Sequence, residues 1–184
     1  MVAPLIHLCS WPGAGKYTIG RALAGRIGGR LLHNHLALDP ANAVYDRSDP
    51  RHAPFRIELR ALIYREAQDL PANVPIIVTD ALEETPDDRA LFAPTEALAA
   101  ARNAPLRAFT LTIAKDENQR RLMDPARAAR SKLMRPEVLE RLRADCILLR
   151  PAGAISVDVT DLSPDAAAVE IARRLGLDAQ ECDA

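Results

Sequence analysis

Residues 5–18, LIHLCSWPGAGKYT, constrain the fold of this chain more than any other stretch. They open on an apolar run with the continuous hydrophobicity of a buried parallel strand. A glycine-rich turn follows, and Lys16 then opens a helical pattern carried by Ile19, Leu23 and Ile27. Strand, glycine turn, lysine and helix, in that order, make an anion-binding loop. Gly13 and Gly15 permit backbone angles that a Cβ forbids, so successive N–H groups can turn inward as a nest. The helix beginning near Lys16 aims its positive end at the same point. Lys16 adds a full charge, and one such contact at 4 Å is worth about 4 kcal/mol at an effective dielectric of 20. The competing reading is a plain turn between a core strand and a core helix. The strict pattern G-x-x-x-x-G-K-[ST] is broken twice: Ser10 stands at the first glycine, and Tyr17 stands at the hydroxyl position with Thr18 after it.

The elements that follow alternate. Gly28 and Gly29 end the first helix. Residues 30–35 read as a second strand closing on His33, Asn34 and His35. Residues 39–54, with Pro40, Asp46, Asp49, Pro50 and Pro54, read as loop or broken helix. An amphipathic helix is expected over 55–70, with Ile57, Ala61, Leu62, Ile63 and Ala67 inward and Arg56, Glu58 and Arg60 mainly on other faces. A strand over 75–80 ends in Asp80. A helix over 87–102 is expected to be interrupted at Pro94. A β-branched strand follows over 106–113. A helix begins over 117–123, a basic segment lies between Pro125 and Pro136, and another helix covers 137–148. The fifth strand is placed over 154–160. Ser163 and Pro164 open the last helix, and Gly176 ends it. Such alternation predicts an α/β fold, a three-layer α/β/α sandwich around a five-stranded parallel sheet. Ligands of such sheets bind beyond the carboxyl ends of the strands, where Ser10, His33, Asp80 and Thr160 are expected.

Composition narrows the class. With 184 residues, 48% of them hydrophobic, one domain can bury about 70% of its unfolded surface. A net charge of -1 and 4% aromatic residues give no field or stacking platform for nucleic acid and no draw towards anionic lipid. Cys9, Cys146 and Cys182 are far apart without metal-ligand spacing, which predicts reduced thiols and a cytoplasmic setting. No apolar run reaches the length of a membrane span, and residues 1–20 lack a signal-peptide pattern.

The core Pro12-Gly13-Ala14-Gly15-Lys16-Tyr17-Thr18 resembles the Pro-Gly-x-Gly-Lys-x-Thr loop of adenylate-kinase-like enzymes, which also displace the hydroxyl by one position. With 122–133 as a lid and 157–164 as last strand and turn, nearly the whole chain resembles the P-loop small-molecule kinases, the group of shikimate kinase, adenylate kinase and small antibiotic phosphotransferases. The resemblance implies one P-loop NTPase domain over 1–184, nucleoside/shikimate kinase-like. Its acceptor-binding segment would lie at about 35–70 and its lid at about 123–136, with ATP and Mg²⁺ as cofactors. Residues 12–18 would wrap the donor phosphates. Arg121 would lie against the adenine, with Thr160, Asp161 and Leu162 bordering its pocket. Arg127 and Arg130 would reach from the lid to the transferred phosphoryl and its acceptor. Where shikimate kinases carry acidic residues after the second strand, this chain has His33, Asn34 and His35.

Phosphoryl transfer asks chiefly for positioning and charge neutralisation. Lys16 and a lid arginine meet that need, and one such arginine accounts for roughly 10³ to 10⁵ in rate, about 4 to 7 kcal/mol. Arg127, Arg130 and Lys132 also fit a solvated basic helix face. His33 and His35, two apart on a strand, share a face. They fit an acceptor-binding or general-base imidazole, a metal site with Asp39, or hydrogen-bonded histidines at a strand end. His33-Asn34-His35 also matches the letters of a nuclease motif, without its β-hairpin and helix. Asp80 fits a Mg²⁺ ligand beside Thr18, a general base, or a turn residue. Arg56 and Arg60, one turn apart, fit a clamp for an anionic acceptor or a salt-bridged surface. Trp11 fits a ligand stack or a cover for the loop. The expected function is an ATP-dependent phosphotransferase of a small hydroxylated or anionic metabolite. Its rivals are a nucleoside monophosphate kinase and a nucleotide-binding ATPase or sensor with no acceptor.

Overall fold

A computed structural model describes residues 2–125 and 134–177. Its strands are β1 (Leu5–Cys9), β2 (Arg30–His33), β3 (Ile76–Asp80), β4 (Leu106–Thr112) and β5 (Ile155–Asp158). Its helices are α1 (Lys16–Ile27), α2 (His35–Val44), α3 (His52–Gln68), α4 (Pro86–Ala101), α5 (Lys115–Leu122), α6 (Pro136–Asp145) and α7 (Pro164–Leu175). The five strands pair in parallel in the order β2-β3-β1-β4-β5. The α/β class and the five-stranded parallel sheet are as the alternation predicts.

Both faces of the sheet are covered, and the two-residue period of each strand divides the side chains between two cores. Ile6, Leu8, Ile77, Phe109, Leu111 and Val157 pack with Ile19 and Leu23 of α1 and Ile171 of α7. Leu5, Ile76 and Val78 point the other way, onto Tyr64 and Ala67 of α3 and Leu98 and Ala99 of α4. His7 and Asp80 belong to that second face, so two polar side chains enter an apolar layer and must satisfy each other. The register that sets Cys9 against Asp80, and His33 against Thr79, aligns the carboxyl ends of β1, β2 and β3.

Four expectations need correction. Residues 35–44 form a helix, α2, which runs through Pro40, and α4 is continuous through Pro94. Both prolines lie on the exposed side, so the carbonyl each leaves unpaired faces water. Burial of Ala37, Leu38 and Ala41 in α2, and of Phe92, Thr95 and Leu98 in α4, holds the helices together. The second strand accordingly stops at His33. The inward face of α3 differs in part: Ile63 and Ala67 face the sheet as expected, but Ala61 is exposed, Ile57 and Leu62 are 48% and 46% exposed, and Arg60 and Tyr64 turn inward with them. A charged residue takes a core position there because Asp80 waits at the end of β3.

Arg102, just past α4, is buried and donates to the carbonyls of Ala67, Gln68, Leu70, Pro71 and Val74. It closes the negative end of α3 and the turn leading into β3. Among the described residues no helix is long and apolar enough to cross a membrane.

Candidate active site

The 10–18 loop leaves β1 at the centre of the sheet. Gly13 and Gly15 have φ of 90° and 96°, in the left-handed region. At Gly13 a Cβ would also stand 2.8 Å from Asn118 Nδ2. Gly15 is the N-cap of α1, and no side chain caps the first turn. The first turn holds no acidic residue either, so the amides that open α1 are presented as an anion would need them. Lys16 Nζ arches over the loop, donating to the carbonyls of Ser10 (2.8 Å) and Trp11 (3.0 Å). Thr18 Oγ1 donates to the Gly15 carbonyl at 2.8 Å. The Tyr17 ring turns to the end of β2 and meets the His33 ring edge-on at 4.9 Å.

On the β4/β5 side, Arg121 of α5 donates through Nη2 to the carbonyls of Val159 (2.9 Å) and Thr160 (2.7 Å). Its Nε donates to Glu117 Oε1. Its Nη1 would be 3.9 Å from a Cβ built at Gly15. Thr160 is fixed in turn: its Oγ1 donates to Asp158 Oδ1 (2.6 Å) and accepts from Ala114 N (2.9 Å). Arg121 thus holds the 159–162 turn through the carbonyls of Val159, Thr160 and Leu162.

On the β2/β3 side a cavity of about 130 Å³ opens between α2, α3 and the strand ends. His33, Asn34, Arg56, Arg60, Asp80 and Asp88 supply its polar lining. Two of these are committed to each other. Arg60 Nη1 and Nη2 reach Asp80 Oδ1 and Oδ2 at 3.0 and 2.9 Å, and Nη2 also donates to Tyr64 Oη at 2.8 Å. His7 Nε2 stands 3.3 Å from Asp80 Oδ2, its ring against Phe92. Burial drives the Asp80 carboxyl upward; the Arg60 guanidinium, with His7, outweighs it and holds the group below the ordinary carboxylate range. Arg56 is half-buried in the same cavity and has no ion-pair partner among the described residues. His35 and Asp39 are not brought to the cavity; they pair with each other along α2 at 2.7 Å. Arg127, Arg130 and Lys132 lie outside the described residues.

Of the two expected Mg²⁺ ligands, Thr18 has its hydroxyl on the Gly15 carbonyl and Asp80 is paired with Arg60. Both Asp80 oxygens are held by Arg60, Tyr17 occupies the usual hydroxyl position, and no group of three or more His, Cys, Asp or Glu with metal-binding geometry exists among the described residues. A magnesium ion arriving with a nucleotide would take its ligands from phosphate oxygens and water.

Two residues that the sequence does not announce hold the loop from behind. Asn118 of α5, fully buried, donates through Nδ2 to the Pro12 carbonyl at 2.8 Å. Arg143 of α6 donates to Asn118 Oδ1 at 3.0 Å and to the Ile113 carbonyl at 3.2 Å. Neither carries a local pattern, because each acts across 25 or more positions of chain.

A parallel sheet of this order, with a glycine loop and lysine leaving its central strand, is a fold shared with solved kinase structures. The chain is similar in structure to a putative kinase from Chloroflexus aurantiacus, with a TM-score of 0.67, 18% identity, and coverage of 97% of this chain and 99% of that one. It is also similar to the Mycobacterium tuberculosis APS kinase in complex with AMPPNP and APS (TM-score 0.61, 15% identity, 95% and 98% covered). A third likeness is to the shikimate kinase from Acinetobacter baumannii in complex with shikimate (0.59, 16%, 94% and 93%). No protein-family model and no curated protein sequence matches the chain.

Proposed function

We propose that the chain is an ATP-dependent phosphotransferase whose acceptor is a small hydroxylated or anionic metabolite. The observation that carries this reading is the uncapped first turn of α1 beside the cavity lined by Arg56 and His33. Donor phosphates lie along the amides of 13–18, and Lys16 leaves the Ser10 and Trp11 carbonyls to meet them. The purine rests by Arg121 and the 160–162 turn. The acceptor occupies the cavity, where Arg56 takes its anionic or polar end. His33, at the edge of Tyr17, receives the hydroxyl proton; Asp80 sets Arg60 in place and takes no part as base. A cavity of about 130 Å³ is small beside the roughly 300–1,000 Å³ usual for drug-sized ligands, which favours a compact metabolite over a nucleoside monophosphate.

The test is ADP release from ATP across a panel of small alcohols, sugars and hydroxy acids, each with and without a carboxylate or phosphate. At least one acceptor is expected to give a phosphorylated product, with Lys16→Ala lowering turnover about 10³-fold. Unchanged ATP affinity and turnover in Lys16→Ala would overturn the reading. ATP binding without product from any acceptor would favour the nucleotide sensor.

A further inference from the structure

We propose that Asn118 and Arg143 are the positioning residues of the phosphate loop, and that through them α6 sets the strength with which the loop grips nucleotide. The inference rests on the phosphate-loop reading given above. A loop that binds anions through its amides must hold its carbonyls away from them, since an inverted peptide places an acceptor against the phosphate. At Pro12 the chain offers a carbonyl and no N–H. That carbonyl is held by Asn118 Nδ2 at 2.8 Å, while the adjacent backbone bond, Ala14 N to the Trp11 carbonyl, is longer at 3.3 Å. Gly13 then lies directly on the Asn118 side chain, so closely that a Cβ would reach 2.8 Å from Nδ2 and 3.1 Å from the Asn118 carbonyl.

The direction of the Asn118 amide is fixed by its neighbours. Its oxygen faces Arg143, which has only donors, and its nitrogen faces a carbonyl, which only accepts. A flipped amide would lose both bonds. Arg143 is itself anchored, its second nitrogen on the Ile113 carbonyl where β4 passes into α5. The chain of contacts runs from α6 through Arg143 and Asn118 to Pro12, and α6 begins immediately after the basic 124–135 segment. Neither Asn118 nor Arg143 lines the acceptor cavity, so a change at either one reaches the loop first.

The experiment measures binding of ATP with Mg²⁺ to the full chain by calorimetry, beside the melting temperature of each variant without nucleotide. Asn118→Asp keeps the acceptor for Arg143 and sets an oxygen against the Pro12 carbonyl; it is expected to weaken ATP about tenfold, from the loss of one buried hydrogen bond. Arg143→Met, which leaves Asn118 Oδ1 without its donor, is expected to weaken ATP about fivefold, and Arg143→Lys less. Because Arg143 acts through Asn118, the double variant Asn118→Asp/Arg143→Met should bind ATP about as Asn118→Asp alone, rather than with the product of the two losses. The KM for acceptor should stay within about twofold throughout. If Asn118→Asp does not fold, Arg143→Met and Arg143→Lys decide. Wild-type binding that is lost in Lys16→Ala but kept within twofold in both Arg143→Met and Asn118→Asp would overturn the inference alone. Fully multiplicative losses in the double variant would overturn it too. A wild type that does not bind ATP would overturn the functional reading and this inference with it.

Discussion

A carboxylate at the end of a buried strand must be neutralised or protonated, and Asp80 is neutralised by Arg60. Truncating one partner leaves the other charge uncompensated, so Arg60→Met should lower stability by about 3–5 kcal/mol in urea titration, and the matched Asp80→Asn/Arg60→Met pair less than the sum. The pH dependence follows from the direction of the shift. Asp80 is depressed in the folded state, so its contribution is complete above the unfolded value of about 4 and is lost as pH falls below it. Melting temperature between pH 7 and pH 3 should therefore fall more steeply in the wild type than in Asp80→Asn. Cys9 shows the opposite case: burial pushes its thiol up to about 11, against the Leu82 carbonyl bond. An aromatic disulfide reagent at pH 8 should leave Cys9 unmodified in the native protein and titrate it once urea is added. At this scale the sequence speaks clearly where backbone geometry is the message. Gly13 and Gly15 are readable because their backbone angles favour glycine and because a Cβ at Gly13 would meet Asn118 at 2.8 Å, and Gly13→Ala should abolish ATP binding. Asp80, Arg60 and Asn118 carry residue types that fit many roles, and only their partners decide among them.

Elements were readable in proportion to how local their causes are. The cap at Ser163, followed by proline, starts α7 where the sequence places it, and the same local device at Thr85 and Pro86 starts α4. Pro40 and Pro94 were misleading because an exposed proline removes one hydrogen bond, and burial of the opposite helix face offsets it. The inward face of α3 was read only in part, right at Ile63 and Ala67, because periodicity counts apolar residues and cannot anticipate that Arg60 has a buried acid to meet. The same helix ends on Arg102, whose guanidinium gathers five carbonyls. Arg102→Met should cost about 3 kcal/mol in urea unfolding, since several carbonyls lose a charged donor together. Hydrogen exchange should quicken first at the carboxyl end of α3.

For the molecule as a whole, the decisive fact is that β1 sits in the middle of the sheet order β2-β3-β1-β4-β5. The 10–18 loop therefore divides two territories. Residues 30–104 furnish the cavity wall, and residues 106–177 furnish Arg121, the 160–162 turn, Asn118 and Arg143. Alternation of elements made the parallel sheet foreseeable, whereas the order of its strands is set by long-range packing, and residues 45–51, which join α2 to α3, have no repeating pattern to read. Substitutions in α2 and α3 that leave Arg60 intact should change which acceptor is used while the KM for ATP stays within about twofold, as steady-state kinetics with both substrates varied would show.

A central first strand also has a historical consequence. If one flank takes the acceptor and the other the donor, as proposed, the first can be rewritten by mutation while the second keeps its old occupant, so a descendant could trade one metabolite for another without relearning how to hold its fuel.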